Sequence, residues 1–384
     1  MSAQAIEAQI DQISLEIERQ KDMLRKLESR KSLLQRQLNA ERDPIAHYPL
    51  EYARPQTHLG PLLLLNICNT WTNIALSTPA LWASIGIGFP RAPGFEELLE
   101  MWLRRAGSRR LQISIKGACD SLVASSILQH SAQLQSLCIS FDETNAEDDD
   151  DDGCYELLGG ILPEMELPSL QELEIFGQIG MATNLLWPPV HRLLRLSPNL
   201  TELNIQNITF MMYMDEEEPE TFVLPHLETL YVSTWALFDD SIISFLRQSS
   251  PPLLKLKLYG RSDVGNLYEV MSLIPTLTHF ESVFLRSPFV AELFRYLSQN
   301  PHITPNLQTF QLEVAHNDSP TDILTLLAGL LAARRSSLKT VRLTTSGSIK
   351  TLPDDLAATL GQFLADGMDI HVGSARDELN ILSQ

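Results

Sequence analysis

A reactive centre in this chain would have to be built from nine histidines, four cysteines, 48 carboxylates and the hydroxyls around them. The histidines show no HExxH or HxH spacing, so no pair presents two imidazoles to one zinc ion from a helix or strand. There is no GxSxG elbow to expose a serine nucleophile and no GxxxxGK loop to cradle phosphates. Cys68, Cys119, Cys138 and Cys154 form no CxxC pair. Cys68 and Cys138 sit in apolar runs, where a thiol is expected to behave as a small buried hydrophobe in a reducing compartment. The unbroken carboxylates Asp148 to Asp152 lack the alternating spacing and glycine of a calcium loop. His191, near Trp187 and Arg192, reads as a helix surface residue rather than a base. Catalysis, a resident metal and a cofactor are therefore not expected, and binding becomes the function to look for.

The net charge of −19 constrains the partner. Residues 1–43 carry eight basic and eight acidic side chains, leaving 21 against 40 in the other 341 residues. Phosphate recognition requires a cationic stripe, so nucleic acid is not expected. Much of the excess falls in Asp142 to Asp152 and in Asp215 to Glu220, which read as solvated insertions because like charges repel. No apolar run approaches the roughly 20 residues that cross a bilayer, and the start reads as charged helix rather than a signal core. The expected location is cytoplasmic or nuclear, with no membrane partner.

The strongest positional pattern is an apolar triplet of the form LxxLxL, found eight times. The triplets are Leu134-Leu137-Ile139, Leu170-Leu173-Ile175, Leu200-Leu203-Ile205, Leu227-Leu230-Val232, Leu253-Leu256-Leu258, Leu277-Phe280-Ser282, Leu307-Phe310-Leu312 and Leu338-Val341-Leu343. Their first residues are 36, 30, 27, 26, 24, 30 and 31 positions apart. The last two apolar positions alternate as on a strand, and the intervals hold a helix, which is the period of a leucine-rich repeat. Helix starts are signalled by Ser287-Pro288, Ser319-Pro320, Asp240-Ser241 and Asp354-Asp355. The expected fold class is α/β, a leucine-rich-repeat solenoid (horseshoe) over residues 86–384. Gln178, Ile208, Trp235, Arg261 and Ala315 stand where many such repeats carry asparagine, so a regular asparagine ladder is missing. Outward strand positions, namely Glu172, Glu202, Thr229, Lys255 and Arg342, are the candidate contacts to a protein target.

Two segments precede the repeats. Residues 1–43 read as a long coiled-coil-like helix, with Ile6, Ile10, Ile13, Ile17, Leu24, Leu27, Leu34 and Leu38 on one seam and Gln20 and Lys31 interrupting it. A homodimer through residues 6–38 would make the binding face bivalent. Residues 44–85 form a small helical unit in which Leu64, Leu65, Cys68, Trp71 and Ala75 follow helical spacing and Pro79 stops the helix.

Pro61 to Ile85, PLLLLNICNTWTNIALSTPALWASI, resembles the second half of an F-box, and Tyr48-Pro49-Leu50-Glu51 resembles its opening. With the repeats downstream and the helix upstream, the chain is similar to the F-box/leucine-rich-repeat proteins of mushroom-forming fungi. That resemblance implies a substrate receptor of an SCF-type ubiquitin ligase, whose Skp-type adaptor and cullin complex meet the F-box while the repeats hold an unknown protein substrate. The adaptor contacts it implies are Pro49, Leu50, Leu64, Leu65, Cys68, Trp71, Ala75, Leu81 and Trp82. Between Glu51 and Pro61 the chain departs from the family. Pro55, Gly60 and a single large aliphatic residue, Leu59, do not supply the amphipathic helix found there. The other reading is a scaffold that oligomerises through its N-terminal helix and has lost adaptor binding.

Overall fold

In a computed structural model, contacts divide the chain into two units, Met1–Pro55 and Gln56–Gln384. The structure describes residues 60–65, 67–88, 95–117, 121–140, 167–177, 183–206, 208–211, 223–233, 240–259, 267–315, 320–345 and 353–374, all in the second unit. The expected N-terminal helix, the acidic runs, Pro49, Leu50, Ser319 and the coiled-coil seam lie outside the described residues.

Every expected triplet lies on or leads into a strand of one parallel sheet. Its strands are β1 (Ser84–Gly88), β2 (Leu111–Lys116), β3 (Leu134–Ser140), β4 (Glu172–Phe176), β6 (Glu202–Gln206), β8 (Thr229–Ser233), β9 (Lys255–Tyr259), β10 (His279–Arg286), β11 (Thr309–Ala315), β12 (Thr340–Thr345) and β13 (Asp369–Ser374). These eleven strands pair side by side in chain order. A separate two-strand parallel pair joins β5 (Thr183–Leu186) to β7 (Ile208–Met211). The class is α/β, as the sequence indicates.

Ten α-helices accompany the strands among the described residues: α1 (Gly60–Leu65), α2 (Asn69–Ser77), α3 (Phe95–Ala106), α4 (Ser121–Leu128), α5 (Trp187–Arg195), α6 (Asp240–Ser249), α7 (Leu267–Leu273), α8 (Ser287–Gln299), α9 (Pro320–Ala333) and α10 (Asp354–Ala365). Prolines and acidic residues open several of them as expected. α8 starts on Ser287 with Pro288 in its first turn, and its N-cap is Arg286. Asp354 and Asp355 sit in the first turn of α10, where a negative charge meets the positive end of the helix dipole.

Alternate strand residues explain the two faces. Leu173 and Ile175, Leu203 and Ile205, Leu256 and Leu258, Phe310 and Leu312 are all buried in the same core cluster as Val190, Leu193, Leu293 and Leu327 of the helices. A strand with period-two side chains must turn the remaining positions to the other face. Those positions are polar: Glu172 and Glu174, Lys255 and Lys257, Thr340 and Arg342.

A turn motif that the triplet pattern overlooks sets the register. Leu170, Leu200, Leu227, Leu277 and Leu307 each donate a backbone N–H to the carbonyl three residues earlier, at 3.1 to 3.3 Å. In each case a proline (Pro168, Pro198, Pro225, Pro275 or Pro305) takes the second turn position, where its fixed φ is already correct. The residue after the proline often reaches the preceding turn. Ser169 donates to the Ala132 carbonyl at 2.6 Å and Asn199 to Pro168 at 2.8 Å. Thr276 donates to Leu253 at 2.8 Å and Asn306 to Pro275 at 3.2 Å. Among the described residues a side-chain ladder therefore runs ahead of the strands. The carbonyls of Gln171, Thr201, Glu228, Leu254, Thr278 and Gln308 each accept two consecutive N–H groups of the next repeat, which extends the pairing upstream.

Three local expectations are corrected. Leu64 to Ala75 is not one helix: Cys68 is extended at φ −165° and ψ 167°, so α1 ends at Leu65 and α2 begins at Asn69. Thr72 Oγ1 reaches back to the Leu65 carbonyl at 3.0 Å, serving an acceptor that the interrupted helix leaves open. Cys68 is exposed, not buried, because the break turns it outward. The boundary expected at 85/86 falls inside β1, whose Ile85 and Ile87 share one core cluster with the repeats.

Candidate protein-binding surfaces

The first surface is the helical unit before β1. Trp82 anchors it and is fully buried. Its indole N–H donates to the Ala75 carbonyl at 2.7 Å. Trp102 of α3 meets its ring edge-on at 5.0 Å between centroids, and the Arg105 guanidinium lies 4.8 Å over it. An aromatic ring held this way fixes the unit against the sheet. Ala75 is fully buried as well, and Leu65 and Leu81 pack against the core. Two of the expected adaptor contacts, Ala75 and Trp82, are thus taken up inside the unit, and Leu65 and Leu81 are half-buried against the core.

What remains outside is apolar. Leu63, Ile67, Trp71, Ile74 and Leu76 are five of the eight large apolar side chains that stay exposed among the described residues. Trp71 is 43% exposed, and Ile74 lies one helical turn along the same face of α2. Cys68 is exposed beside them and Leu64 is half-buried. The N–H of Trp71 lowers the Cys68 thiol pKa, as expected at the start of a helix. Leu63, Ile67, Ile74 and Leu76 were not among the expected contacts. Their signal is the surplus of apolar residues in Leu62 to Leu65, at Ile67 and in Ile74 to Leu76, more than one buried stripe can use.

The second surface is the polar face of the sheet. Register aligns Glu172 with Glu202 and Thr229, and Thr229 with Lys255. The next row carries Cys138, Glu174, Asn204, Tyr231, Lys257, Glu281, Gln311, Arg342 and His371 side by side from β3 to β13. Thr229, expected to be a contact, is only 8% exposed, because its short side chain sits between the longer Glu202 and Lys255 of the first row. Glu172, Glu202 and Arg342 are half-buried and Lys255 is exposed.

The electrostatics of this face change along it. Burial raises the Glu174 carboxyl above the ordinary range, and Asn204 Nδ2, at 3.4 Å, only partly offsets this. Burial raises Glu202 too, with Glu172 and Glu174 pushing it further and Lys255 opposing them. Cys138, beside Glu174 in the same row, is pushed up to about 12 by burial and then by Glu174, so its thiol stays protonated and inert. In the middle, Lys257 Nζ pairs with Glu281 at 2.7 Å and lies 4.9 Å over the Tyr259 ring. Burial pulls the ammonium pKa down, but Glu281 and Tyr259 outweigh it and the net shift is upward.

At the far end, Nε and Nη1 of Arg342 are buried without a hydrogen-bond partner. His371 beside it is held low by burial and by the Arg342 charge, with Asp369 opposing. Among the described residues no group of three or more histidine, cysteine or carboxylate side chains could hold a metal. No helix there is long and apolar enough to cross a membrane. His191 of α5 is half-buried and its pKa is lowered by burial and by Arg195. A scan against protein-family models and a search of curated proteins both return no match.

Proposed function

We propose that this chain is a non-catalytic protein-binding receptor, a leucine-rich-repeat solenoid whose helical N-terminal unit docks a Skp-type adaptor of an SCF-type ubiquitin ligase. On this reading it works in the cytoplasm or nucleus, and the polar sheet face holds the target protein. The carrying observation is the exposed apolar cluster Leu63, Ile67, Trp71 and Ile74 on a unit that Trp82 already fixes from within. Large apolar side chains left in water beside a rigid anchor are the usual mark of a protein interface, and tryptophan is the residue most often decisive there. Eleven parallel strands in chain order support the repeat architecture, since each strand-plus-helix unit buries its apolar side only against its neighbours.

The test is co-purification of the full chain with a Skp-type adaptor. The parent should hold the adaptor, and Trp71→Ala with Ile74→Ala should weaken it by roughly a hundredfold or more, as two central apolar contacts do. A folded parent that captures no adaptor ends the ligase reading.

The sequence of residues 52–60, with Pro55 and Gly60 in place of an amphipathic helix, favours a second reading. There the chain is a scaffold that dimerises through residues 6–38 and uses the repeats alone. Sedimentation of the full chain separates the two readings, because a dimer that binds no adaptor fits only the scaffold.

A further inference from the structure

We propose that the polar face of the sheet is a bipolar docking surface for an extended segment of a partner protein, which sets a Lys or Arg against Glu172, Glu174 and Glu202 and an Asp or Glu carboxylate against Arg342. This rests on the repeats being the target-binding part, and it specifies the chemistry of the target.

The acidic end is built from two adjacent strands. Glu172 and Glu202 are direct register partners on β4 and β6, and Glu174 stands one pair further along. Carboxylates directly opposite one another on neighbouring strands repel, and partial burial reduces the screening by water. None of the three has an ion-pair partner among the described residues. Lys255, the nearest cation in their row, lies two strands from Glu202. Folding alone gives no reason for three such groups to converge, whereas an incoming cation would offset their mutual repulsion.

The centre of the face needs no partner, because Lys257 and Glu281 already satisfy each other. The basic end is different. Two buried guanidinium nitrogens of Arg342 make no hydrogen bond, although Glu313 stands on β11 and Asp369 on β13 to either side. Gln311 and His371 are its register neighbours, and neither supplies a negative charge. Either nitrogen shares a guanidinium fork with Nη2, and a carboxylate set against the half-buried Arg342 can be held at such a fork through two parallel bonds.

From β6 to β12 is five strand intervals in the sheet order. At about 4.8 Å each, they separate the two ends by about 24 Å along the face, which about seven extended residues span. The target segment therefore carries its base and its acid about seven residues apart. A segment with the two charges closer together reaches only one end.

The experiment uses the purified full chain to select from a displayed library of random peptides, followed by affinity measurement on the enriched sequences. Enriched peptides should pair a Lys or Arg with an Asp or Glu at that spacing. Changing Glu172, Glu174 and Glu202 to Gln should abolish selection of the base and keep that of the acid. Arg342→Gln should do the reverse. Each should weaken the parent-selected peptide by roughly tenfold or more. Arg342→Lys, which keeps the charge and loses the fork, should fall between. Thermal melts of each variant confirm that it is folded. Enrichment without charge pairing, a pairing that survives both variants, or no enrichment at all overturns the proposal. Adaptor capture by the same proteins reports separately on the ligase reading, which depends on Trp71 and Ile74 and not on this face.

Discussion

Arg334 donates from Nη1 to the Thr304 carbonyl at 2.9 Å, and the same guanidinium reaches the carbonyls of Leu297, Asn300 and Ile303 at 3.2, 3.0 and 2.6 Å. The side chain is 2% exposed. It leaves the end of α9 and fills the C-terminal end of α8 in the preceding unit, where helix carbonyls have no partner of their own. Thr304, at φ +46°, turns the chain so that these carbonyls converge. One cation thus joins two consecutive units without any carboxylate.

Arg334→Met should therefore cost about 3 to 5 kcal/mol, because four carbonyls, two of them in buried and two in part-buried contacts, lose a charged donor together. Arg334→Lys should recover only part, since an ammonium cannot fork over four acceptors. Urea denaturation measures both, and a Met variant within about 1 kcal/mol of the parent contradicts the account.

The two tryptophans of the helical unit should behave oppositely. Trp82→Ala removes a fully buried ring and its bond to Ala75, and should cost about 3 to 5 kcal/mol. Trp71→Ala should stay within about 0.5 kcal/mol of the parent, because the ring already faces water. A large stability loss at Trp71 would mean that it belongs to the core.

Leu256→Ala should destabilise by about 2 to 5 kcal/mol, since this residue is 1% exposed between Leu230 and Phe280 of the neighbouring strands. An unchanged thermal transition would show that the stacked apolar rows do not carry the fold.

Ser282 occupies an inward position between Leu258 and Leu312, is 1% exposed, and its hydroxyl has no partner. An irregular register after it brings Leu285 back into the core. Ser282→Ala should thus be neutral or stabilising by about 1 kcal/mol, because it removes an unsatisfied buried polar group without adding volume. A loss of more than about 1 kcal/mol would show that the hydroxyl is bonded in solution.

Glu174 and Glu202 have raised folded-state pKa values, chiefly through burial. A carboxyl that is harder to ionise when folded binds more protons in the native than in the unfolded state. Stability from these groups therefore rises as pH falls through their folded pKa and levels off below the unfolded value of about 4.3. At neutral pH both ionised groups oppose folding. The double Gln variant should melt higher than the parent at pH 7, and the difference should shrink as pH falls towards 4. A gain that does not vary with pH would separate it from proton binding.

The eight triplets were legible because a strand with one buried face must alternate, and the residues from Leu134 to Leu343 do so in each repeat. β1, β2 and β13 carry the same alternation without a leading LxxL, so the triplet alone missed them. The proline turns were also present in the sequence, at Pro168, Pro198, Pro225, Pro275 and Pro305, and repeat at the same offset from the next leucine. The polar candidates Glu172, Glu202, Lys255 and Arg342 were legible as outward positions. Which of them lie paired, crowded or alone was not, because that depends on which side chains the register sets beside them on the neighbouring strands, as Glu202 beside Glu172 and Gln311 beside Arg342.

Composition and periodicity by themselves determined an α/β chain in which strands and helices alternate, since this follows from local alternation and residue type. Only the tertiary structure decided that Trp82 is buried and Trp71 exposed, that Cys68 breaks a helix, that Arg334 joins neighbouring units, and that Lys257 finds Glu281 while Arg342 finds no partner. Burial and charge pairing depend on which distant segments share a surface, and no local pattern of side chains encodes that.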